Sequence, residues 1–128
     1  MPTLVVDGHN VMGARPDGWW RDRPGAARRL LGRIQCLAAA EPGTPVVLVL
    51  DAAVPGLPEG DHGGVTVRYA RRRGRDAADD RIVEDLAELD GPVEVVTSDR
   101  ALAARAAARG ARLTGAGAFL ARLDRSGC

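Results

Sequence analysis

Apolar residues fall into short runs separated by polar, Gly- and Pro-rich segments, and the runs switch between two periods. Thr3 to Val6 and Val46 to Leu50 (VVLVL) are continuous and rich in β-branched residues, the pattern of strands buried on both faces. GVTVRYA, from Gly64 to Ala70, alternates and predicts a third strand; VEVV from Val93 predicts a fourth, and Ala111 to Thr114 a short fifth. Ala27, Leu30, Leu31, Ile34, Leu37 and Ala38 instead recur at helical spacing, and Glu41, Pro42 and Gly43 stop that helix. Further helices are predicted over Asp76 to Leu89, from a cap at Ser98 or Asp99 to about Arg109, and through AFLARL near the end. Gly13 to Pro24 is polar, carries two tryptophans and reads as a loop.

Strands alternating with helices predict an α/β fold, a three-layer sandwich around a mostly parallel five-stranded sheet. The 128 residues suit one domain, spanning residues 1–128. Ligands of such sheets sit beyond the carboxyl ends of the strands, where strand order reverses. Three of the predicted strands end in an aspartate: Asp7, Asp51 and Asp99.

A fourth carboxylate joins them. On a helical wheel Ala78, Ile82, Val83, Leu86 and Leu89 fill one sector of roughly 140°. Asp79 falls inside that sector, with Asp76 and Asp80 just past its edge. Arg81 falls on another face, and Glu84, Asp85 and Glu88 on the side where solvent is expected. An unpaired carboxylate on a core-facing stripe needs a partner or a cation. Taken singly, each aspartate has a plainer explanation: a helix cap or favourable dipole position for Asp79, a turn at Asp7–Gly8, a loop entry at Asp51. Together they predict a shared acidic site, and an all-oxygen cluster selects hard ions, Mg²⁺ or Mn²⁺. His9 and His62 are too few and too scattered for zinc.

Charge narrows the chemistry. All 18 basic residues are arginines, so mechanisms that need a lysine amine are excluded. Net charge is only +1, yet RYARRRGR packs Arg68, Arg71, Arg72, Arg73 and Arg75 into eight residues, a local field for phosphates or a solvated loop paired with nearby acids. Cys36 and Cys128 show neither a disulfide framework nor metal-ligand spacing. No apolar stretch approaches membrane-spanning length, which sets a cytoplasmic location as the expectation. The pattern carries no signal for oligomeric state.

Five segments are recognisable together: VVDGHNVM (Val5 to Met12), VVLVLDA (Val46 to Ala52), ADDRIVEDL (Ala78 to Leu86), VVTSDRAL (Val95 to Leu102) and RGARLTGAGAFL. In this order the chain resembles the PIN-like NYN domain family, YacP type, which are RNA-associated bacterial proteins. The resemblance implies a parallel sheet of order 3-2-1-4-5, with the first and fourth strands adjacent. It also implies a metal-dependent endoribonuclease that hydrolyses RNA phosphodiester bonds, with Asp7, Asp79, Asp80 and Asp99 as its acidic site. Asn10 would be the polar companion and Asp51 a peripheral member. Asp7, Asp79 and Asp99 are the expected metal ligands, and Asp80 sits at the flank. Arg68, Arg71, Arg72, Arg73, Arg75 and Arg100 are the expected RNA contacts, with Arg15, Arg21 and Arg23 able to extend the surface. Trp19 and Trp20 suit either stacking on unpaired bases or packing against the first helix. The rival expectation is a non-catalytic RNA-binding or ribosome-associated module. Haloacid-dehalogenase chemistry needs an Asp-x-Asp pair, whereas Gly8 and His9 follow Asp7.

Overall fold

β-branched and leucine runs form the sheet, and the helical stripes cover both of its faces. The computed structural model describes residues 2–71, 74 and 76–128. The elements run β1 (Thr3–Asp7), α1 (Gly8–Met12), a 3₁₀ turn (Trp19–Arg21), α2 (Arg23–Ala40), β2 (Val46–Leu50), β3 (Gly60–His62) and β4 (Val65–Tyr69). Then follow α3 (Ala77–Glu88), β5 (Val93–Val96), α4 (Arg100–Ala108), β6 (Arg112–Thr114) and α5 (Ala116–Arg125).

The sheet order is β3-β4-β2-β1-β5-β6. Every pairing is parallel except β3 with β4. The expected order of the five parallel strands is therefore present, but the sheet has six strands rather than five. The addition, β3, is a three-residue edge (Gly60, Asp61, His62) folded back on β4 through Gly63 and Gly64, both at positive φ. Its sequence has no apolar side chain to alternate, so no periodicity announces it.

Period-two alternation splits β1 between two cores. Leu4 and Val6 pack with Ile34 and Leu37 of α2 and Phe119 of α5. Val5 faces the opposite layer, with Ile82 of α3 and Leu102 of α4. By the same alternation Asp7 shares the Val5 face, the side of α3 and α4. Asp22 caps α2 by accepting from Gly25 N (3.0 Å), and Pro24 stands in the first turn. Leu30, Leu31, Ile34 and Leu37 are all buried, each worth about 1.5–3 kcal/mol relative to exposure.

One expectation about α3 is overturned. Asp85 is 3% exposed, not turned to solvent, and Arg81, off the core-facing stripe, is buried beside it at 7%. Arg81 Nη1 donates to Glu59 Oε1 (3.1 Å) and to the Tyr69 carbonyl (2.9 Å), and Asp85 Oδ1 accepts from Arg81 Nε (3.3 Å) and Arg68 Nη1 (3.1 Å). The end of β4 and the segment before β3 cover this side of the helix, and an isolated helical wheel cannot register such a cover. The reading of the cysteines is also corrected. Cys36 in α2 and Cys128 beyond α5 form a disulfide, with Cα atoms 5.6 Å apart across 92 residues of sequence. Among the described residues no helix is long and apolar enough to cross a membrane.

Candidate functional site

Strand order reverses at β1, which pairs with β2 on one side and β5 on the other. At its carboxyl end the chain turns directly into α1. A Cβ on Gly8 would lie 2.9 Å from the Val49 carbonyl oxygen and 2.7 Å from Leu50 Cδ2. Only glycine fits there, so the Asp-Gly of the opening motif is a close approach of α1 to β2 and not merely a turn.

Asp7, the last residue of β1, is 4% exposed. Its Oδ2 accepts from the Thr97 hydroxyl (2.9 Å), and Thr97 Oγ1 in turn accepts from Asp99 N (3.0 Å). Asp99 caps α4, its Oδ1 accepting from Ala101 N (2.9 Å) and Leu102 N (3.1 Å), which leaves Oδ2 outside the cap. Asn10 Oδ1 accepts from Ser98 N (2.7 Å) and so ties α1 to the β5–α4 turn. Asp79 comes from the first turn of α3.

These side chains line one cavity of about 290 Å³: Asp7, Asn10, Asp79 and Asp99, together with His9, Arg23 and Asp51. Gly74 and Ala78 also lie on its wall. Burial pushes the Asp79 carboxyl up to about 6, with the charges of Asp7 and Asp99 acting in the same direction. Burial likewise raises Asp7, against the lowering effects of the Thr97 hydroxyl, the Asn10 backbone and His9. Carboxylates that repel one another in a partly dry pocket are a donor set suited to a hard divalent cation, which would relieve that repulsion. Among the described residues, no three acidic, histidine or cysteine side chains already stand at the spacing of a closed ligand set. The donor chemistry fits a metal, and the side chains would have to draw together around it.

Other predicted residues lie elsewhere. Asp80 points away from the cavity and pairs with Arg105 Nη1 of α4 (2.9 Å). Arg68 is held by Asp85, which gives its guanidinium a partner within the protein. Arg71 is exposed, 3.9 Å from Glu84, and Arg100 is exposed at the start of α4. Arg72, Arg73 and Arg75 lie outside the described residues. Asp51 is at the cavity rim, its Oδ2 3.3 Å from His9 Nδ1. Sequence reasoning did not give Thr97 a role, nor did it place Arg23 and His9 in the cavity wall. The Thr-Ser-Asp run after a β-branched strand is the one local signal for Thr97.

The sequence from residue 4 to residue 127 matches the model of the YacP-like NYN domain. The chain belongs to the YacP-like NYN domain family. This NYN domain also superposes on two crystal structures of Rae1 (YacP) from Bacillus subtilis. One, a point mutant, gives a TM-score of 0.80 at 24% identity, covering 98% of this chain and 77% of the other. The second gives 0.79 at 23% identity, covering 98% and 75%. At such identities the likeness concerns the fold alone. No curated protein sequence matches the chain.

Proposed function

We propose that this NYN domain is a metal-dependent endoribonuclease whose acidic site is built from Asp7, Asp79 and Asp99. The observation that carries the reading is the convergence of those carboxylates, from β1, α3 and α4, on one cavity in which Asp79 is pushed up to about 6. Mg²⁺ or Mn²⁺ bound there would supply Lewis-acid polarisation of a phosphodiester and a water of lowered pKa.

The chain's own residues do the rest. Asp7 is locked by Thr97 and offers a fixed oxygen. Asp99 spends one oxygen on the α4 cap and keeps the other for a ligand. Asn10 fixes the spacing between α1 and the turn that carries Asp99. Arg23 in the cavity wall and Arg71 and Arg100 outside it offer guanidinium groups for the RNA backbone. Asp80, paired with Arg105, orients the α3–α4 flank and is not placed among the ligands.

The test is cleavage of a labelled single-stranded RNA panel in Mn²⁺ against EDTA, with Asp99→Asn alongside. Asparagine still caps a helix, so the variant should fold and bind RNA while losing at least about 100-fold in cleavage, beyond the loss typical of outer-shell substitutions. Unchanged cleavage by the variant removes the catalytic assignment. Arg23 favours one competing reading, since its guanidinium already places positive charge beside the carboxylates. On that reading the domain is a non-catalytic RNA-binding or ribosome-associated module, and it would bind the panel equally in EDTA and cleave nothing.

A further inference from the structure

We propose that the Trp19–Trp20 corner is a stacking platform for an unpaired base of single-stranded RNA whose backbone runs to the acidic cavity. The identity of the ligand rests on the RNA reading above; the platform rests on its own geometry. Among the described residues Trp20 is the most exposed large apolar side chain, at 50%. An indole left half in water adds little to the core and keeps aromatic surface available to a ligand.

Trp19 is the anchor. Its ring meets His9 edge-to-face at 5.3 Å and 88°, and the Arg23 guanidinium lies over it at 5.3 Å. Gly13, at the end of α1, lies against its edge, where even a Cβ would make only an ordinary contact, 3.5 Å from Trp19 Cζ2. Trp20 meets Trp19 edge-on at 6.2 Å and 89°, with the Arg21 guanidinium 5.9 Å from its ring centroid. The two indoles are therefore perpendicular, one held by the fold and one presented.

His9 and Arg23 belong to both places, since they line the acidic cavity and also grip Trp19. The surface thus passes without a break from carboxylates, through an imidazole and a guanidinium, to an exposed indole flanked by Arg21. That alternation of π faces and cations matches a polymer of bases and phosphates. A duplex keeps its base faces stacked internally and offers the platform nothing, so the expected occupant is single-stranded.

Trp19 and Trp20 are the molecule's two tryptophans, so tryptophan fluorescence, excited selectively over Tyr69, reports on this corner alone. The experiment titrates the protein, in EDTA, with a single-stranded oligoribonucleotide and with its duplex. Saturable quenching by the single strand, weak quenching by the duplex, and binding weakened about 10-fold by Trp20→Ala are expected. Trp20→Phe should restore most of that binding, and it keeps the test open should the alanine variant fold poorly. Absence of quenching, equal quenching by duplex, or wild-type affinity in Trp20→Ala overturns the platform. Cleavage in Mn²⁺ separates the two claims. Quenching without cleavage leaves the platform standing and removes the nuclease, whereas cleavage with an unchanged KM in Trp20→Ala removes the platform alone.

Discussion

Asp79 sits half-buried in the first turn of α3, where burial and the charges of Asp7 and Asp99 raise its carboxyl from 3.8 to about 6. The folded molecule therefore holds that proton more tightly than the unfolded chain does. Stability contributed by the protonated form is present at low pH and is lost as pH climbs from about 4 through about 6. In EDTA the thermal midpoint should fall between about pH 4 and pH 7, and Asp79→Asn should flatten the fall. A cation competes with the proton, so Mn²⁺ should raise the midpoint more at pH 7 than at pH 5. An Asp79→Asn profile parallel to wild type would contradict this electrostatic picture. The convergence itself was legible in the sequence, because two of the carboxylates follow predicted strands and the third shares a stripe with Ile82 and Leu86. Thr97 and Arg23 were not legible, since Thr97 acts on a residue 90 positions away and Arg23 enters the cavity only through the turn of α2 against α1.

Elements show where local pattern suffices and where it fails. β1, β2, β4 and β5 follow from their apolar runs, and α2 from its stripe, because each owes its burial to its own periodicity. Helix α1 is five residues long and exists because Gly8 can lie against β2. Gly8→Ala should force the helix off the strand and cost about 1–3 kcal/mol, as overpacking does, with cleavage falling because His9 and Asn10 move. Gly32→Ala on α2 is the control, since its Cβ meets nothing within 4 Å and should leave the protein as stable or up to about 1 kcal/mol more so. Comparable melting curves for the two variants would refute the close-approach account. The buried Arg81–Asp85 pair shows the converse failure: a helical wheel sorts polar residues to solvent unless it knows that Glu59 and Tyr69 lie above them.

At the scale of the whole molecule, the five parallel strands and their order could be anticipated, and the long-range closure could not. The Cys36–Cys128 disulfide joins residues 92 apart, and neither spacing nor number of cysteines hinted at it. It closes a loop whose chain-entropy contribution is about 4.6 kcal/mol at most. Cys36→Ser should lower the thermal midpoint in oxidising buffer and match wild type in reducing buffer; a difference that persists under reduction would mean that Cys36 acts through packing. The buried Phe119, Leu120 and Leu123 keep α5 docked once the bond is gone, and the part-exposed pairs Arg33–Asp124 and Arg122–Glu41 add little. The acidic cavity lies at the carboxyl end of β1, and the account stands or falls on whether that cavity takes a cation. Anomalous diffraction from crystals soaked in Mn²⁺ measures this directly. A peak within coordinating distance of Asp7, Asp79 and Asp99 is the predicted result, and an empty cavity with those oxygens turned to the Arg23 guanidinium would contradict it.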